Sequence, residues 1–336
     1  MNPAQKVSII IPVYNGAAHI RSMFDTLTKQ TYRNFEAIFV VDKKTTDDSL
    51  KIIEEEKNRL PEIKAIIQKG DTKLGGARNE GLEASDGDII WFCDIDDVVV
   101  PDLLKETVSV MEEKDADVVM FNFIRTNSAG VKLPAGEFRI DEYSREEAIF
   151  ELLKLKLPVT AWSKIIRKKV MTDNGIEFSF GYAEDVWHTY NLVNCSKKIC
   201  FCEKPMYLYI QNEGSICNSD KNRNLRGTAE IDRYNKLEEL FAEDEKIMGV
   251  FRKRSALIRM RSAVHMDKEK FMEYAKSEEC RTMMKRNLKN SVSPEVILFK
   301  SAPSLYYRFV SFYLRKIYYK NDQCFMKPRK ARSVKR

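Results

Sequence analysis

The sequence predicts an α/β protein with a mostly parallel sheet, followed by a helical C-terminal region. Three observations support this prediction. Apolar, β-branched runs alternate with amphipathic segments through the first 125 residues, as βαβ units require. The first run, at residues 7–13, is continuous, which is typical of a strand covered on both faces. From about residue 225 onward, apolar residues recur at helical spacing instead.

The first half of the chain contains five predicted strands with helices between them. The strands span residues 7–13, 35–42, 63–68, 88–93 and 116–124. The helices span residues 16–32, 45–60, 75–85 and 102–114, and the second of them ends before Pro61. Right-handed crossovers place the carboxyl ends of such strands at one edge of the sheet, where ligands bind. The polar residues that follow the strands should therefore meet in one crevice.

The alternation of strands and helices stops after residue 125. Residues 131–140 look like a loop or hairpin, residues 144–156 like an amphipathic helix, and residues 160–216 like a helix, a loop and a pair of strands. Further helices are predicted at 229–245, 251–265, 268–276 and 303–320. We therefore predict three segments: a first domain at 1–220, a helical region at 221–325, and a disordered basic tail at 326–336.

The composition is that of a soluble globular protein. The chain has 336 residues, of which 43% are hydrophobic and 32% charged. No run approaches the roughly 18 to 20 apolar residues that a membrane span requires, and the N-terminus does not resemble a signal peptide. We therefore expect a cytoplasmic location. The seven cysteines are odd in number, and the spacing of Cys195, Cys200 and Cys202 matches no usual zinc site, so reduced thiols are expected.

The charge is divided unequally between the two ends of the chain. Residues 1–250 carry a net charge of −9, whereas residues 251–336 carry +16. Such an asymmetry favours an anionic partner for the C-terminal end, either a membrane surface or a nucleic acid. No nucleic-acid motif is recognisable, so nucleic acid is not the expected partner. The expected partner is an anionic membrane surface, which residues 303–336 would contact. The protein would then lie on the inner face of the plasma membrane.

The segment at 303–320 shows how that contact would be made. Residues at helical spacing form an aromatic and aliphatic face that consists of Tyr307, Val310, Leu314, Ile317 and Tyr318. A polar stripe beside this face consists of Arg308, Ser311 and Arg315. Basic residues with interfacial aromatics suit a helix that lies in a membrane interface. The alternative is a helix that packs on the protein and leaves a solvated basic face.

Three carboxylates, Asp94, Asp96 and Asp97, follow the apolar run at residues 89–93. In an extended segment, residues two apart point the same way at about 6.6 Å, so Asp94 and Asp96 can face one space. Hard cations such as Mg²⁺ or Mn²⁺ prefer carboxylate and phosphate oxygens. A cation there would neutralise a diphosphate leaving group. The alternative is a helix N-cap, because Asp97 and Asp102 precede a predicted helix.

Four blocks of this sequence, in order, resemble the family 2 glycosyltransferases. They are VSIIIPVYN, the strand that ends in Asp42 followed by TTDDS, the block GGARNEGLEASDGDIIWFCDIDD, and the later EDVW. The resemblance covers residues 7 to about 217. It implies the GT-A fold, with a nucleotide-sugar half at 1–125 and an acceptor half at 126–220. It also implies a nucleotide-sugar donor, with UDP as the expected nucleotide, a Mn²⁺ or Mg²⁺ ion, and inversion at the anomeric carbon.

The resemblance assigns roles on the donor side residue by residue. Asp96 would be the direct metal ligand, Asp42 would bind the base or ribose, and Arg78 would brace the carboxylates near the nucleotide. The other donor-side positions are Pro12, Tyr14 and Asn15 at the nucleoside and Asp94 and Ile95 at the ribose or diphosphate.

On the acceptor side, the resemblance makes Asp185 the general base that takes a proton from the acceptor hydroxyl. Glu184, His188, Trp162 and Lys164 are the other acceptor-side candidates. The ending EKPMYLYIQNEGSI resembles bacterial polysaccharide-type members, which implies a glycan or a lipid-linked acceptor. An alternative explanation of Glu184 and Asp185 is that they open a helix, where acids in the first turn are favourable anyway.

The chain departs from the family pattern after the second strand. It has Asp42-Lys43-Lys44-Thr45 where relatives usually have Asp-Asp-Gly-Ser, and it has Lys73 and Ile210 where glycine and arginine are common. These changes leave the metal and base candidates intact but make the donor less certain. They keep open a second class of function, a transferase-like binding protein without activity. A third class, less favoured, is a nucleic-acid binder that uses the basic tail.

Overall fold

The computed structural model describes residues 5–70, 73–126, 138–210, 223–288, 293–313 and 323–324. The loop or hairpin predicted at 131–140 and the basic tail at 326–336 therefore lie wholly or mostly outside the described residues. In chain order, the strands are β1 (Val7–Val13), β2 (Phe35–Val41), β3 (Ile63–Ile67), β4 (Ile89–Phe92), β5 (Val98–Val99), β6 (Val118–Thr126), β7 (Ile140–Ser144), β8 (Lys164–Arg167), β9 (Lys198–Ile210) and β10 (Gln323–Cys324).

The α-helices of the first two thirds of the chain are α1 (Ala17–Thr28), α2 (Ser49–Glu56), α3 (Lys73–Glu83), α4 (Leu103–Glu113), α5 (Arg145–Leu153), α6 (Lys168–Asp173) and α7 (Glu184–Cys195). The helical region contains α8 (Arg223–Leu240), α9 (Glu245–Ala263), α10 (Lys268–Lys276), α11 (Glu278–Leu288), α12 (Pro294–Ser301) and α13 (Pro303–Tyr313). Short 3₁₀ turns lie at Lys57–Arg59 and Ala161–Ser163. The helices α6, α11 and α12 were not predicted.

The sheet is mixed, with the order β3-β2-β1-β4-β8-β6-β9-β5. The four strands β1 to β4 are parallel to one another, as the continuous apolar runs predict. The strand β8 then inserts antiparallel between β4 and β6, so β6 is not the next parallel neighbour of β4. The strands β6 and β9 pair in parallel, and β5 and β7 pair antiparallel with β9. The carboxyl ends of β1, β2 and β4 still share one edge.

Both faces of the sheet are covered. One core contains Ile9, Phe24 and Phe39 beneath α1 and α2, and the other contains Ile10, Ile90 and residues of α5 and α7. The helices α8 and α9 add Tyr234, Leu237, Phe241 and Phe251 to this second core. A third core, built from α9 to α13, holds the rest of the helical region together. The helical region thus packs on α5 and α7, which in turn cover the sheet.

The last described helix corrects the predicted membrane face. Tyr307 donates a hydrogen bond from its hydroxyl to the carbonyl of Met266 at 3.0 Å, and Val310 packs on the third core. These two residues face the protein, so their assignment to an exposed face was wrong. Leu314, Ile317 and Tyr318 lie outside the described residues. The exposed apolar stripe of α13 consists of Leu305, Phe309, Phe312 and Tyr313, which are 42% to 61% exposed.

Candidate active site

A single arginine connects acidic residues from two distant parts of the chain. Arg78, in α3, is 1% exposed. Its Nη1 donates to Glu184 Oε1 at 2.9 Å and to Asp185 Oδ1 at 3.0 Å, and its Nη2 donates to Asp94 Oδ1 at 3.1 Å. Asp96 lies near enough to Asp94 to repel it electrostatically. We call these five residues the carboxyl-edge cluster, because they lie where β4 ends and α7 begins.

Glycines bring α3 close enough to its neighbours for Arg78 to reach this position. A Cβ at Gly81 would lie 2.3 Å from Ile10 Cγ2, so only glycine lets α3 rest on β1. A Cβ at Gly75 would lie 2.5 Å from the carbonyl oxygen of Ser179. The glycines of GGARNEG therefore serve close packing, and the arginine between them is carried into the crevice.

Two acids of the carboxyl-edge cluster bind protons more tightly than isolated acids do. Burial and the charge of Asp185 raise the pKa of Glu184 to about 7, although Arg78 opposes the shift. Burial, with the nearby Asp96 and Asp185, likewise raises the pKa of Asp94 to about 6 against the effect of Arg78. Among the described residues, Asp94, Glu184 and Asp185 share the one guanidinium of Arg78, so an added cation would be stabilised here.

Asp97 does not point into this cluster. It is 2% exposed and accepts hydrogen bonds from the Tyr207 hydroxyl at 2.6 Å and from the Ile210 amide at 2.8 Å. Burial and the charges of Asp96 and Asp94 raise its pKa well above the usual value. The alternative that Asp97 caps a helix is therefore wrong, because it ties the turn after β4 to the end of β9.

The donor-side candidates lie at or next to the carboxyl ends of β1, β2 and β4. Tyr14 is 60% exposed, and Asn15 Oδ1 accepts from the Thr46 amide at 2.9 Å. The Asp42 amide donates to the Val13 carbonyl at 2.8 Å, which holds Asp42 beside the end of β1. Pro12 is a buried residue of β1, and Ile95 packs on the core beside Gly16. The structure brings these residues to one edge, as the sequence predicts.

Three acceptor-side candidates lie in the protein interior. Trp162 is 3% exposed and stacks on Tyr207 at 4.4 Å between ring centroids. Lys164 is fully buried and donates to the Thr189 hydroxyl at 3.1 Å. His188 is fully buried and stacks on Phe178 at 3.8 Å. Their side chains cannot contact an acceptor in the crevice, so they support the site from within.

Burial also sets the charge of two of these residues. It lowers the pKa of Lys164 to about 7, although Asp185 opposes the shift. Burial, with the charges of Lys164 and Arg78, lowers the pKa of His188 well below 6.5, so His188 is neutral near pH 7. Neither ring nitrogen of His188 has a hydrogen-bond partner among the described residues. His188 is therefore a packing residue rather than an acid or base.

A second group of acids lies at the opposite edge of the sheet. Carboxylate oxygens of Glu36, Glu62 and Asp86 lie within 4.8 Å of one another. Two lysines already bind this group, since Lys64 Nζ is 2.8 Å from Glu36 Oε2 and Lys6 Nζ is 2.8 Å from Glu62 Oε2. We call these five residues the amino-edge cluster. Because ammonium groups compensate its charge, it is a poorer cation site than the carboxyl-edge cluster.

Two residues that were not predicted from the sequence hold the loop before α7. Asn79 Nδ2 donates to the Phe178 carbonyl at 3.0 Å, and its Oδ1 accepts from the Phe178 amide at 2.8 Å. Arg233, in α8, donates to the Phe180 carbonyl at 3.0 Å. Asn79 adjoins Arg78 in the block GGARNEG, so its position could have identified it as a site residue. Nothing in the local sequence around Arg233 indicates its contact.

Comparison with known proteins gives a family and a fold. Residues 8–174 match the family model described as Glycosyl transferase family 2. Glycosyltransferase GlyG of Streptococcus pneumoniae is 26% identical over 229 residues, which cover 65% of this chain and 74% of GlyG. The poly(ribitol-phosphate) beta-N-acetylglucosaminyltransferase TarS of Staphylococcus aureus is 28% identical over 219 residues, which cover 64% of this chain but only 37% of TarS.

Two solved structures share the fold over nearly the whole chain. The crystal structure of TarS residues 1–349 in complex with UDP-GlcNAc has a TM-score of 0.64 and 21% identity, covering 92% of this chain and 91% of that one. A mannosyltransferase from Pyrobaculum calidifontis, in complex with GDP-Man and Mn²⁺, has a TM-score of 0.54 and 13% identity, covering 93% and 87%. The likeness to TarS confirms the predicted α/β fold with its helical C-terminal region.

Proposed function

This chain belongs to glycosyltransferase family 2, and from that premise we propose that it moves a sugar from a UDP-sugar to a hydroxyl of a glycan or lipid-linked acceptor, with inversion. The observation that carries the proposal is the contact of Arg78 with Asp94 on one side and with Glu184 and Asp185 on the other. This guanidinium couples the end of β4, where a donor diphosphate would bind, to the start of α7, where an acceptor would bind.

The carboxyl-edge cluster fits a divalent cation. Asp94 and Asp96 offer the hard oxygen ligands that Mn²⁺ and Mg²⁺ prefer, and Arg78 is the only cation in contact with Asp94 among the described residues. Asp96 would be the direct ligand. When bound, the cation would neutralise the diphosphate and so stabilise the leaving nucleotide. The mannosyltransferase in complex with GDP-Man and Mn²⁺, which shares this fold, supports the assignment.

Asp185 is the residue proposed to act as general base. Its side chain is 23% exposed, more than that of its neighbour Glu184 at 11%, so it can meet an acceptor hydroxyl. The Arg78 guanidinium binds one Asp185 oxygen and leaves the other for a proton. A single displacement with one base opposite the leaving group inverts the anomeric carbon. An α-linked donor would then give a β-linked product.

The identity of the donor nucleotide is to be determined by experiment. The UDP-GlcNAc of TarS supports UDP, whereas the GDP-Man of the mannosyltransferase indicates that the fold accommodates other nucleotides. Asp42 would contact the base or ribose beside Tyr14 and Asn15. Lys43 and Lys44 occupy the turn where relatives carry another acid, and Lys43 is exposed. These lysines are the first positions to examine if the donor is unusual.

A nucleotide panel tests the proposed function. UDP, GDP and dTDP, and the corresponding sugars, would be tested for thermal stabilisation and for slow hydrolysis, with Mn²⁺ and with EDTA. We expect one nucleotide to stabilise the protein in a metal-dependent manner and its sugar to be hydrolysed. Asp96→Asn should lower hydrolysis at least 100-fold, whereas Asp86→Asn, in the amino-edge cluster, should not change it. No stabilisation and no hydrolysis in any condition would instead favour a transferase-like binding protein.

We also propose that α13 places the protein on an anionic membrane. Leu305, Phe309, Phe312 and Tyr313 recur at helical spacing and form an exposed stripe, with exposed Arg308 as the one charged residue of the helix. The chain that follows, residues 314–336, carries nine basic residues and one acid. Apolar insertion and attraction of about 1 kcal/mol per basic residue would act together. No helix among the described residues is long and apolar enough to span a bilayer.

Vesicle flotation tests this membrane proposal. The protein should float with vesicles that contain phosphatidylglycerol and not with phosphatidylcholine alone, and raised salt should release it. Phe309→Ser combined with Phe312→Ser should weaken binding at least tenfold, whereas Phe138→Ser, at an exposed phenylalanine elsewhere, should not. Equal flotation of the double variant, or binding to RNA and not to vesicles, would contradict the proposal.

A further inference from the structure

The loop between α6 and α7, residues 174–183, is fixed from one side by α3. Asn79 makes two hydrogen bonds to the backbone of Phe178, one in each direction. The carbonyl of Ser179 lies against Gly75, where no side chain would fit. The Phe178 ring packs between the stacked His188 ring and the guanidinium of Arg78, whose Cζ is 5.1 Å from the ring centroid. The loop backbone is therefore anchored beside the carboxyl-edge cluster.

The helical region fixes the same loop from the other side. Arg233 of α8 is 8% exposed, and its Nη2 donates to the carbonyl of Phe180 at 3.0 Å. Burying a guanidinium is costly, and this hydrogen bond offsets part of that cost, although Nε of Arg233 has no partner among the described residues. It joins α8 to a loop residue 53 positions earlier in the chain. The backbone at Phe178 and Phe180 is thus held by two different parts of the molecule.

The Phe180 side chain is nevertheless left in solvent. It is 63% exposed, whereas Phe178, two residues earlier, is 2% exposed. Directly after it, Gly181 and Ala183 adopt left-handed backbone conformations, with φ of 97° and 57°. A non-glycine residue in this region is uncommon, and such strain clusters at functional sites. The turn ends at Glu184 and Asp185, so an exposed aromatic ring on an anchored backbone lies five residues before the proposed base.

We propose that the Phe180 ring is a platform for the sugar ring of the acceptor, and that Arg233 is a positioning residue for it. The inference rests on the proposed function, because that function places the acceptor at Asp185, which follows the turn that carries Phe180. The C–H face of a pyranose is apolar and flat, and burying it on an aromatic ring is favourable. An open-chain polyol phosphate offers no such face. The acceptor is therefore a pyranoside.

Transfer and donor hydrolysis, measured separately, test this inference. The donor would be the UDP-sugar that the wild type hydrolyses. The ring acceptors would be p-nitrophenyl β-glucoside, β-galactoside and β-N-acetylglucosaminide, and the open-chain acceptors would be ribitol 5-phosphate and glycerol 3-phosphate. Phe180→Ala should raise the KM for the ring acceptor at least tenfold and leave donor hydrolysis unchanged. Phe180→Tyr should restore the KM to within about threefold, because it restores the ring.

Arg233 should show a different pattern, because it acts through the loop. Arg233→Gln should lower kcat for transfer about tenfold through misplacement of the loop, while donor hydrolysis stays within twofold. Arg233→Lys should recover part of this loss. Lys236→Ala, an exposed position on the same helix, is the matched control and should change neither rate. Phe138→Ala is the control for loss of an exposed ring.

Three outcomes would overturn the inference and leave the proposed function intact. The first is transfer to ring acceptors at the wild-type KM by Phe180→Ala. The second is transfer to the open-chain acceptors alone. The third is a wild type that hydrolyses the donor but transfers to no ring acceptor and is inhibited by none. A wild type that neither binds a nucleotide nor hydrolyses any nucleotide sugar contradicts the proposed function instead.

Discussion

Two acidic clusters lie at opposite edges of the same sheet, and their negative charge is compensated to different extents. In the amino-edge cluster, Lys64 and Lys6 compensate Glu36, Glu62 and Asp86. In the carboxyl-edge cluster, Arg78 is shared by three carboxylates, and Asp96 adds a fourth. Glu184 and Asp185 begin α7, whereas the other members of both clusters lie at the ends of parallel strands or in their connections. Within the part of the chain that the structure describes, the difference between them lies in the number of carboxylates that bind each cation.

Proton affinities follow from this ratio. Burial alone would raise the pKa of Glu36, but the hydrogen bonds from Lys64 and Ser8 lower it to about 2. In the carboxyl-edge cluster, the charge of Arg78 does not overcome the effect of burial, so the pKa of Glu184 rises to about 7. The ionised acid is favoured at one edge and disfavoured at the other. A compensated cluster stabilises a fold, whereas an uncompensated one in a crevice is typical of a functional site.

The largest expected effect comes from Asp185. Asp185→Asn keeps the shape and a hydrogen-bond acceptor for Arg78 but removes the base, so transfer should fall about 10³-fold. Donor binding, measured by thermal shift with UDP and Mn²⁺, should stay within threefold because the variant leaves Asp94 and Asp96 intact. The matched change at the other edge, Asp86→Asn, should leave transfer unchanged. Undiminished transfer by Asp185→Asn would remove Asp185 from the proposed mechanism.

The next largest effect on transfer is expected from replacing Arg78, the cation of the carboxyl-edge cluster. Arg78→Gln leaves the three carboxylates without their shared partner, so the pKa values of Asp94 and Glu184 should rise further and transfer should fall at least 100-fold near pH 7. Because ionisation recovers at higher pH, the pH profile of the residual activity should move to alkaline values. Lys64→Gln, its counterpart in the amino-edge cluster, should change stability but keep transfer within twofold. Equal losses of activity in both variants would mean that Arg78 serves only the fold.

The sequence predicts the parallel half of the sheet well, because the signal there is local. The runs at 7–13 and 35–42 are mostly apolar, and the observed strands Val7–Val13 and Phe35–Val41 coincide closely with them. Parallel strands then bring Asp42 and Asp94 to one edge by topology alone. Arg78 was also predictable, since GGARN lies in a recognised block. The fold class and the centre of the site therefore follow from short segments.

Features that depend on distant contacts were not predictable. Trp162 and Lys164 are buried because β8 inserts between β4 and β6, and no local pattern specifies that insertion. The buried face of α13 depends on its contacts with α10 and α12, so Tyr307 was placed on the wrong side. The contact of Arg233 with Phe180 joins residues 53 apart. Each error is a case in which tertiary packing selects among options that the local sequence leaves open.

A smaller effect, on stability rather than activity, is expected at the amino-edge cluster. The pKa of Glu36 falls from 4.5 to about 2 on folding, so its contribution is complete above pH 4.5 and disappears as the pH falls towards 2. Glu36→Gln should lower the free energy of unfolding at pH 7 by about 2 kcal/mol. Urea denaturation across pH 3 to 7 should show the two proteins converging in acid. Glu62→Gln, at a half-exposed partner, should cost about 0.5 kcal/mol or less.

The smallest effect should have the opposite sign, at Glu184. Its pKa rises from 4.5 to about 7 on folding, so the folded protein binds more protons than the unfolded one between these values and loses stability as the pH rises. Glu184→Gln carries no such penalty and should be more stable than the wild type at pH 8. Near pH 4, where Glu184 is protonated in both states, the two proteins should be equally stable. If urea denaturation shows no gain at pH 8, Arg78 compensates Glu184 fully, and the contrast between the two edges no longer distinguishes a catalytic cluster from a structural one.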